Sequence, residues 1–427
     1  MNRTGGGCEA CGKCHGRQER APGAPLPVVN CHCDAPPCQR HGDRPAERMA
    51  RASLIMNING NLCCQCLCAN KVRMPVSGRA TGLKLAPMAV MPPEPEHVLM
   101  EQAKRAASGR QGASLPIIDV SALSSSDPAK RRAVGLQIRD ACLTSGFLYC
   151  TGHGIPDGLR EAVFAESRRF FEQPLDRKLA VDKAHSFCNR GYEVLGGQTL
   201  QPGAQADLKE GYYIGLELAE DDPRTVARRF NRGPNQWPAD LPAFKPVMNA
   251  WFAALLDLSE RLMRGIALSL DLPESHFDGF CREPLAILRL LHYPPHPPQA
   301  GDDLLGAGAH TDFGGLTLLA QDDNGGLQVM DNETGRWIDA PPLGGTFVIN
   351  LGDMIARWTN DRYRSTLHRV INTSGRERYS VPFFFSGNPD FEVACIPTCL
   401  EPGETAKYPP IRVEDHLMAM YRKTYVG

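Results

Sequence analysis

The spacing of apolar positions changes along the chain, and the change divides it. The first patterned run is Leu115-Pro116-Ile117-Ile118-Asp119-Val120, an apolar stretch short enough for one strand. Asp127-Pro128 then reads as an N-cap followed by proline in the first helical turn. Val134, Ile138, Ala141 and Cys142 recur on one face until Gly146 stops the helix. Phe147-Leu148-Tyr149-Cys150 predicts a second strand, with a turn at Thr151-Gly152-His153-Gly154. Helices are expected over 158–171 and 244–270, the longer one carrying Val247, Trp251, Leu255, Leu258, Leu262 and Ile266 at helical spacing.

From about residue 285 the period falls to that of strands. Runs at 287–293, 315–320, 327–330, 346–350, 367–371 and 378–385 are separated by Gly, Asp, Asn and Pro, and no amphipathic helix is expected before 413–423. Many short strands punctuated by turns predict a sandwich or barrel, mainly β with flanking helices. Three segments follow: a Cys/Gly/Pro-rich extension over 1–112 expected to be disordered, a largely helical amino-terminal domain over 113–283, and a β domain over 284–427.

Composition sharpens this division. Of 427 residues, 42% are apolar and 22% charged, which suits a globular protein. No apolar run approaches the length of a membrane span, so no membrane partner is expected. Residues 1–112 hold 15 Lys and Arg against 8 Asp and Glu, while the rest holds 32 against 40. An acidic body gives no reason to expect a nucleic-acid partner. Ten of the 16 cysteines fall between Cys8 and Cys68; the later six are widely spaced in apolar surroundings, the habit of reduced thiols in a cytoplasmic protein. The early groups, such as Cys8-x2-Cys11-x2-Cys14, offer thiolates to a metal, but their irregular spacing equally suits a dispensable extension.

The chemistry-bearing residues lie in the β region. In Ala309-His310-Thr311-Asp312 an imidazole and a carboxylate occupy i and i+2, the same face of an extended strand, and His368 follows within Leu367-His368-Arg369-Val370. Two His and one carboxylate form the donor set of a facial triad, which suits non-haem Fe(II). On its own His-x-Asp also arises on any strand with a polar face, and His368 would equally serve as a core histidine. A second i, i+2 pair, Arg378-x-Ser380, adds a guanidinium and a hydroxyl able to hold an organic acid.

With these motifs at this spacing, the sequence resembles the iron(II)/2-oxoglutarate-dependent oxygenases of the isopenicillin N synthase-like family. The likeness extends over residues 113–427, through Gly146-Phe147-Leu148-Tyr149, Asp207-Leu208-Lys209-Glu210-Gly211-Tyr212-Tyr213 and Leu288-Arg289-Leu290-Leu291-His292-Tyr293-Pro294-Pro295. It implies a double-stranded β-helix, or jelly roll, with Fe(II) held by His310, Asp312 and His368. Arg378, Ser380 and Tyr293 would hold 2-oxoglutarate as co-substrate, and O2 would complete an oxidation of a small-molecule substrate by hydroxylation, desaturation or ring closure. By their places in the matching segments, Phe147, Asn189, Arg190, Tyr192, Tyr212, Phe313 and Phe385 are the expected substrate-pocket residues. Ethylene formation and 2-oxoglutarate-free oxidation are the alternatives within the family, and a metal- or ligand-sensing jelly-roll module is the alternative outside it. Oligomeric state is not legible.

Overall fold

The structure is a computed structural model that describes residues 115–425 apart from 202, 298–303 and 373. It also describes two dipeptides, Ile55–Met56 and Leu62–Cys63, which pair as antiparallel strands. The readings of disorder and of thiolate metal ligands in 1–112 otherwise lie outside the described residues. No helix among the described residues is long and apolar enough to cross a membrane.

Chain order from the first strand is β1 (Ile117–Asp119), α1 (Pro128–Thr144), β2 (Phe147–Thr151), α2 (Asp157–Phe171), β3 (Gly191–Glu193), β4 (Glu210–Gly215) and α3 (Phe244–Ser269). The β-rich half then gives β5 (Leu285–Tyr293), β6 (Ala307–His310), β7 (Leu316–Gln321), β8 (Leu327–Met330), β9 (Trp337–Asp339) and β10 (Phe347–Leu351). It closes with α4 (Asp353–Trp358), β11 (His368–Val370), β12 (Arg378–Gly387) and α5 (Val413–Tyr425). Asp127 caps α1 as its sequence suggests, its carboxylate accepting from the Ala129 backbone N–H.

Two sheets face each other. The larger has eight strands in the order β1-β2-β10-β7-β12-β5-β4-β3, and the smaller has four in the order β9-β8-β11-β6. Pairing is antiparallel except between β1 and β2. The larger sheet is buried on both faces, so its strands are almost wholly apolar and alternate between two cores. In β2, Leu148 and Cys150 join the core shared with α1, α2 and α3, whereas Phe147 and Tyr149 join the core between the sheets. The same division separates Leu288 and Leu290 from Leu291 and Tyr293 in β5. Function-bearing side chains on the second of these faces point into the jelly roll.

Two features of the structure go beyond the sequence reading. β1 to β4 all belong to the eight-stranded sheet, so the sheet runs across the 283/284 division, and β3 and β4 fall inside a segment whose pattern reads as largely helical. The helix α4 interrupts the β half well before 413; at six residues it is too short to show a helical period. Cys142, Cys150, Cys188, Cys281, Cys395 and Cys399 are free, the first three and Cys399 buried and Cys281 and Cys395 half-buried.

Candidate metal centre

β6 ends at His310 and β11 begins at His368, and these residues are register partners in the smaller sheet. Their imidazoles therefore lie side by side, ring centroids 4.3 Å apart. Asp312 stands just past the end of β6, where its backbone carbonyl accepts from the Asp353 N–H at 2.8 Å and seats the loop on the start of α4. Its Oδ2 accepts two hydrogen bonds from neighbouring strands of the larger sheet: Thr317 Oγ1 at 2.5 Å and Asn350 Nδ2 at 2.7 Å. The other carboxylate oxygen, Oδ1, faces His310 Nε2 at 3.9 Å and His368 Nε2 at 3.8 Å.

Each histidine is oriented from behind. His310 Nδ1 donates to the Gly308 carbonyl at 2.7 Å and His368 Nδ1 to the Thr366 carbonyl at 3.2 Å, which places the Nε2 lone pairs toward Asp312. Burial, followed by the neighbouring His368, pushes the His310 pKa well below its ordinary value, so the ring is a neutral donor. For Asp312 burial alone would raise the pKa, but the imidazoles and the bonds from Asn350 and Thr317 outweigh it and hold the carboxyl below its usual range. The donor atoms of the three residues all lie within 4.8 Å of one another. Two imidazole nitrogens and one carboxylate oxygen, converging and preoriented, fit a divalent transition metal such as Fe(II).

Beside this cluster lies an inner cavity of about 60 Å3, lined by His310, Asp312 and His368 together with Tyr293, Arg378 and Ser380. Arg378 opens β12 directly opposite Tyr293 at the close of β5, and its guanidinium sits 4.7 Å from that ring's centre. It is fully buried, with Nε on the Gly325 carbonyl at 3.1 Å and Nη2 on Gln321 Oε1 at 3.0 Å. Among the described residues Nη1 has no hydrogen-bond partner. A buried guanidinium nitrogen without an acceptor is the position a ligand carboxylate fills.

An outer cavity of about 90 Å3 shares His310, Asp312, Leu200, Arg289 and Phe384 with the inner one. The expected substrate-pocket residues divide between the cavities and the core. Phe147 lines the inner cavity and meets His368 edge-on at 5.4 Å, and Phe313 lines the outer one. Asn189 reaches the outer cavity only through Asn231, to whose Oδ1 it donates at 2.7 Å. Arg190, Tyr192, Tyr212 and Phe385 do not line either cavity. Arg190 is spent on the carbonyls of Cys188 and Asn231, both at 2.7 Å; Tyr192 donates to Glu210 and Tyr212 to the Gln236 carbonyl within the helix-side core. Phe385 packs on Phe280, and its neighbour Phe384 faces the cavities instead, a one-residue shift of strand phase.

Sequence reasoning missed Arg289, Lys209, Thr317, Asn350 and the α5 residues Leu417 and Tyr421. For Arg289 there was a signal, since it shares the inward phase of Leu291 and Tyr293 in an otherwise apolar strand. Lys209 pairs with Asp207, both buried, and burial lowers the lysine pKa to about 8. Asp207 also accepts the Gly308 N–H at 2.9 Å, and a Cβ on Gly308 would lie 2.7 Å from that of Gln201, so only glycine lets this loop lie against β6.

Two family models match the chain: the amino-terminal model of non-haem dioxygenases in morphine synthesis over residues 115–240, and the 2OG-Fe(II) oxygenase superfamily over 284–387. The chain is 46% identical over 314 residues to hxnY, a 2-oxoglutarate-Fe(II) type oxidoreductase of Emericella nidulans, covering 73% of this chain and 90% of that protein. It is 39% identical over 319 residues to citB, a 2-oxoglutarate-dependent dioxygenase of Monascus ruber, covering 73% and 95%. Among solved structures it resembles a full-length Neurospora crassa protein in complex with alpha-KG and thymine, with a TM-score of 0.64, 33% identity and coverage of 74% and 98%.

Proposed function

The chain belongs to the iron(II)/2-oxoglutarate-dependent oxygenases of the isopenicillin N synthase-like superfamily, and on that premise we propose that His310, Asp312 and His368 hold the iron while Arg378, Ser380 and Tyr293 hold the distal carboxylate of 2-oxoglutarate. The observation that carries this assignment is the pairing, in one cavity, of three converging metal donors with a buried arginine whose Nη1 lacks an acceptor. With Fe(II), 2-oxoglutarate and O2 bound, this family couples decarboxylation of the keto acid to succinate with oxidation of a second, small organic molecule.

The protein's share is placement and exclusion of water. Thr317 and Asn350 fix which Asp312 oxygen faces the metal, and the Gly308 and Thr366 carbonyls fix the imidazoles. Arg378 and the metal donors line the same cavity of about 60 Å3, and a short diacid held by both is fixed in direction. Phe147, Leu291, Leu327 and Val370 line it without polar side-chain atoms, which keeps bulk water from the reacting centre. The outer cavity, contiguous through His310 and Asp312, is where we place the substrate to be oxidised.

The test is anaerobic reconstitution with Fe(II) and 2-oxoglutarate, followed by O2 and analysis for succinate and ethylene. A visible absorption band on mixing and then succinate without ethylene are expected. Ethylene as the main product, or turnover without 2-oxoglutarate, would move the protein to one of the other branches.

A further inference from the structure

Besides the two imidazoles, three cationic side chains line the inner cavity, and two of them are met by acids. Arg289 Nη2 donates to Glu193 Oε2 at 3.0 Å, an acid it shares with Lys183, and Lys209 pairs with Asp207. Arg378 has no carboxylate partner among the described residues. The acids nearby are taken up elsewhere: Glu377, its chain neighbour, faces His292 Nε2 at 2.5 Å, and Asp322 Oδ2 accepts the Tyr379 backbone N–H at 2.6 Å.

Where the other two have an acid, Arg378 has Gln321, 5% exposed at the end of β7 and the register partner of Ser380 on β12. Gln321 Oε1 accepts from Arg378 Nη2 at 3.0 Å, and its Nε2 donates to the Ala340 carbonyl at 3.4 Å, so the amide cannot turn its nitrogen toward the guanidinium without losing both bonds. Its backbone carbonyl accepts from Arg160 Nη2 of α2 at 2.7 Å, which ties this end of β7 to the helix. Gln321 does not line the cavity; it acts through Arg378. With the Gly325 carbonyl on Nε at 3.1 Å, two uncharged acceptors fix the guanidinium plane and Nη1 is left for a ligand. That both acceptors are uncharged has a consequence. A carboxylate in place of the Gln321 amide would pair with Arg378 whether or not co-substrate was bound, and an incoming diacid would meet a neutralised guanidinium and a second anion. An amide orients the cation without neutralising it.

We propose that Gln321 is a positioning residue of the co-substrate site: its uncharged amide holds the Arg378 guanidinium in place and leaves the positive charge for the distal carboxylate of 2-oxoglutarate. The proposal rests on the oxygenase reading above and deepens it by naming what keeps Arg378 available to the diacid.

The experiment compares 2-oxoglutarate with 2-oxopentanoate, a 2-oxo acid of the same chain length without the distal carboxylate, on the anaerobic Fe(II) enzyme, with dissociation constants read from the visible band. In the parent, 2-oxoglutarate should bind more tightly by on the order of 10- to 150-fold, the range of a hydrogen bond to a charged group. Gln321→Glu should collapse that ratio toward one while Fe(II) affinity and 2-oxopentanoate binding stay near those of the parent. Gln321→Met, similar in length but uncharged and without the amide acceptor, should weaken 2-oxoglutarate binding through lost positioning yet keep more of the ratio than Gln321→Glu does. A side chain that only packs would give the two variants the same ratio. An unchanged ratio in Gln321→Glu, the same ratio in both variants, or 2-oxoglutarate binding at the parent's strength in Gln321→Met would overturn the proposal; the last decides even where Gln321→Glu fails to retain Fe(II). If the parent shows no band with 2-oxoglutarate, the oxygenase reading itself fails, and this role falls with it.

Discussion

Replacing Asn350 by leucine should weaken iron binding without touching either the ligands or the co-substrate site. Asn350 is 4% exposed on β10, and its Nδ2 gives Asp312 Oδ2 one of its two hydrogen bonds, at 2.7 Å. Leucine has similar volume, so the packing change is small and the main loss is a hydrogen bond to a charged group, about 1.5–3 kcal/mol. A ligand's hydrogen-bond partner behind the metal is independently worth about 10- to 100-fold in metal affinity, which is roughly 1.4–2.8 kcal/mol. The two magnitudes agree. Thr317→Val should cost a comparable amount, since Thr317 supplies the remaining bond at 2.5 Å. The double variant should lose more than the two single losses combined, because each single variant still has one donor fixing the carboxylate. The assay is anaerobic Fe(II) titration at saturating 2-oxoglutarate, with the KM for 2-oxoglutarate at saturating iron as the control. Iron affinity within about two-fold of the parent in both single variants, against the 10- to 100-fold expected of each, would refute the idea that these strands position Asp312.

Three further outcomes are expected. His310→Ala or His368→Ala should abolish stoichiometric iron and succinate formation while the melting transition persists; metal analysis and calorimetry check both halves. Arg378→Gln should raise the KM for 2-oxoglutarate by on the order of 10- to 150-fold with little change in iron affinity, and lysine should restore only part because a point charge lacks the two-pronged geometry. A protein beginning near Met100 should fold and turn over as the full chain does, because the first buried side chain of the described body is Leu115; loss of iron or of soluble protein on truncation would show that the cysteine-rich extension contributes.

Local pattern made the triad residues and Arg378-x-Ser380 legible, because ligands at i and i+2 must share a strand face whatever the sheet does. It did not reveal that His310 and His368 are register partners, since strand pairing across 58 residues depends on the whole sheet. The same limit explains Tyr192, Tyr212 and Phe385: they were placed by nearness in sequence to matching segments, and a strand's alternate residues face opposite cores. Tyr212 and Phe385 fell on the helix side, and Tyr213 and Phe384 on the cavity side. Arg190 lines neither cavity for another reason. Its guanidinium bonds carbonyls of its own loop and of residue 231, a contact with no local signature. β3 and β4 were missed because strands buried on both faces lack the polar alternation that marks a half-exposed sheet.

The unpartnered Nη1 of Arg378 also bears on how long the enzyme lasts. Leaving a buried donor unmet costs about 1–3 kcal/mol or more for a charged group, a substantial part of the margin that keeps a domain folded. A carboxylate docking there removes that cost. Because the unfolded chain has no such cavity, the co-substrate stabilises the fold by mass action, about 2.7 kcal/mol at a hundred times its Kd. The melting temperature should accordingly climb with 2-oxoglutarate even in the absence of O2, when nothing turns over. In a cell, a fall in the keto acid would then shrink the pool of intact enzyme as well as slow each molecule, so supply of one metabolite would govern both the rate and the lifetime of the catalyst.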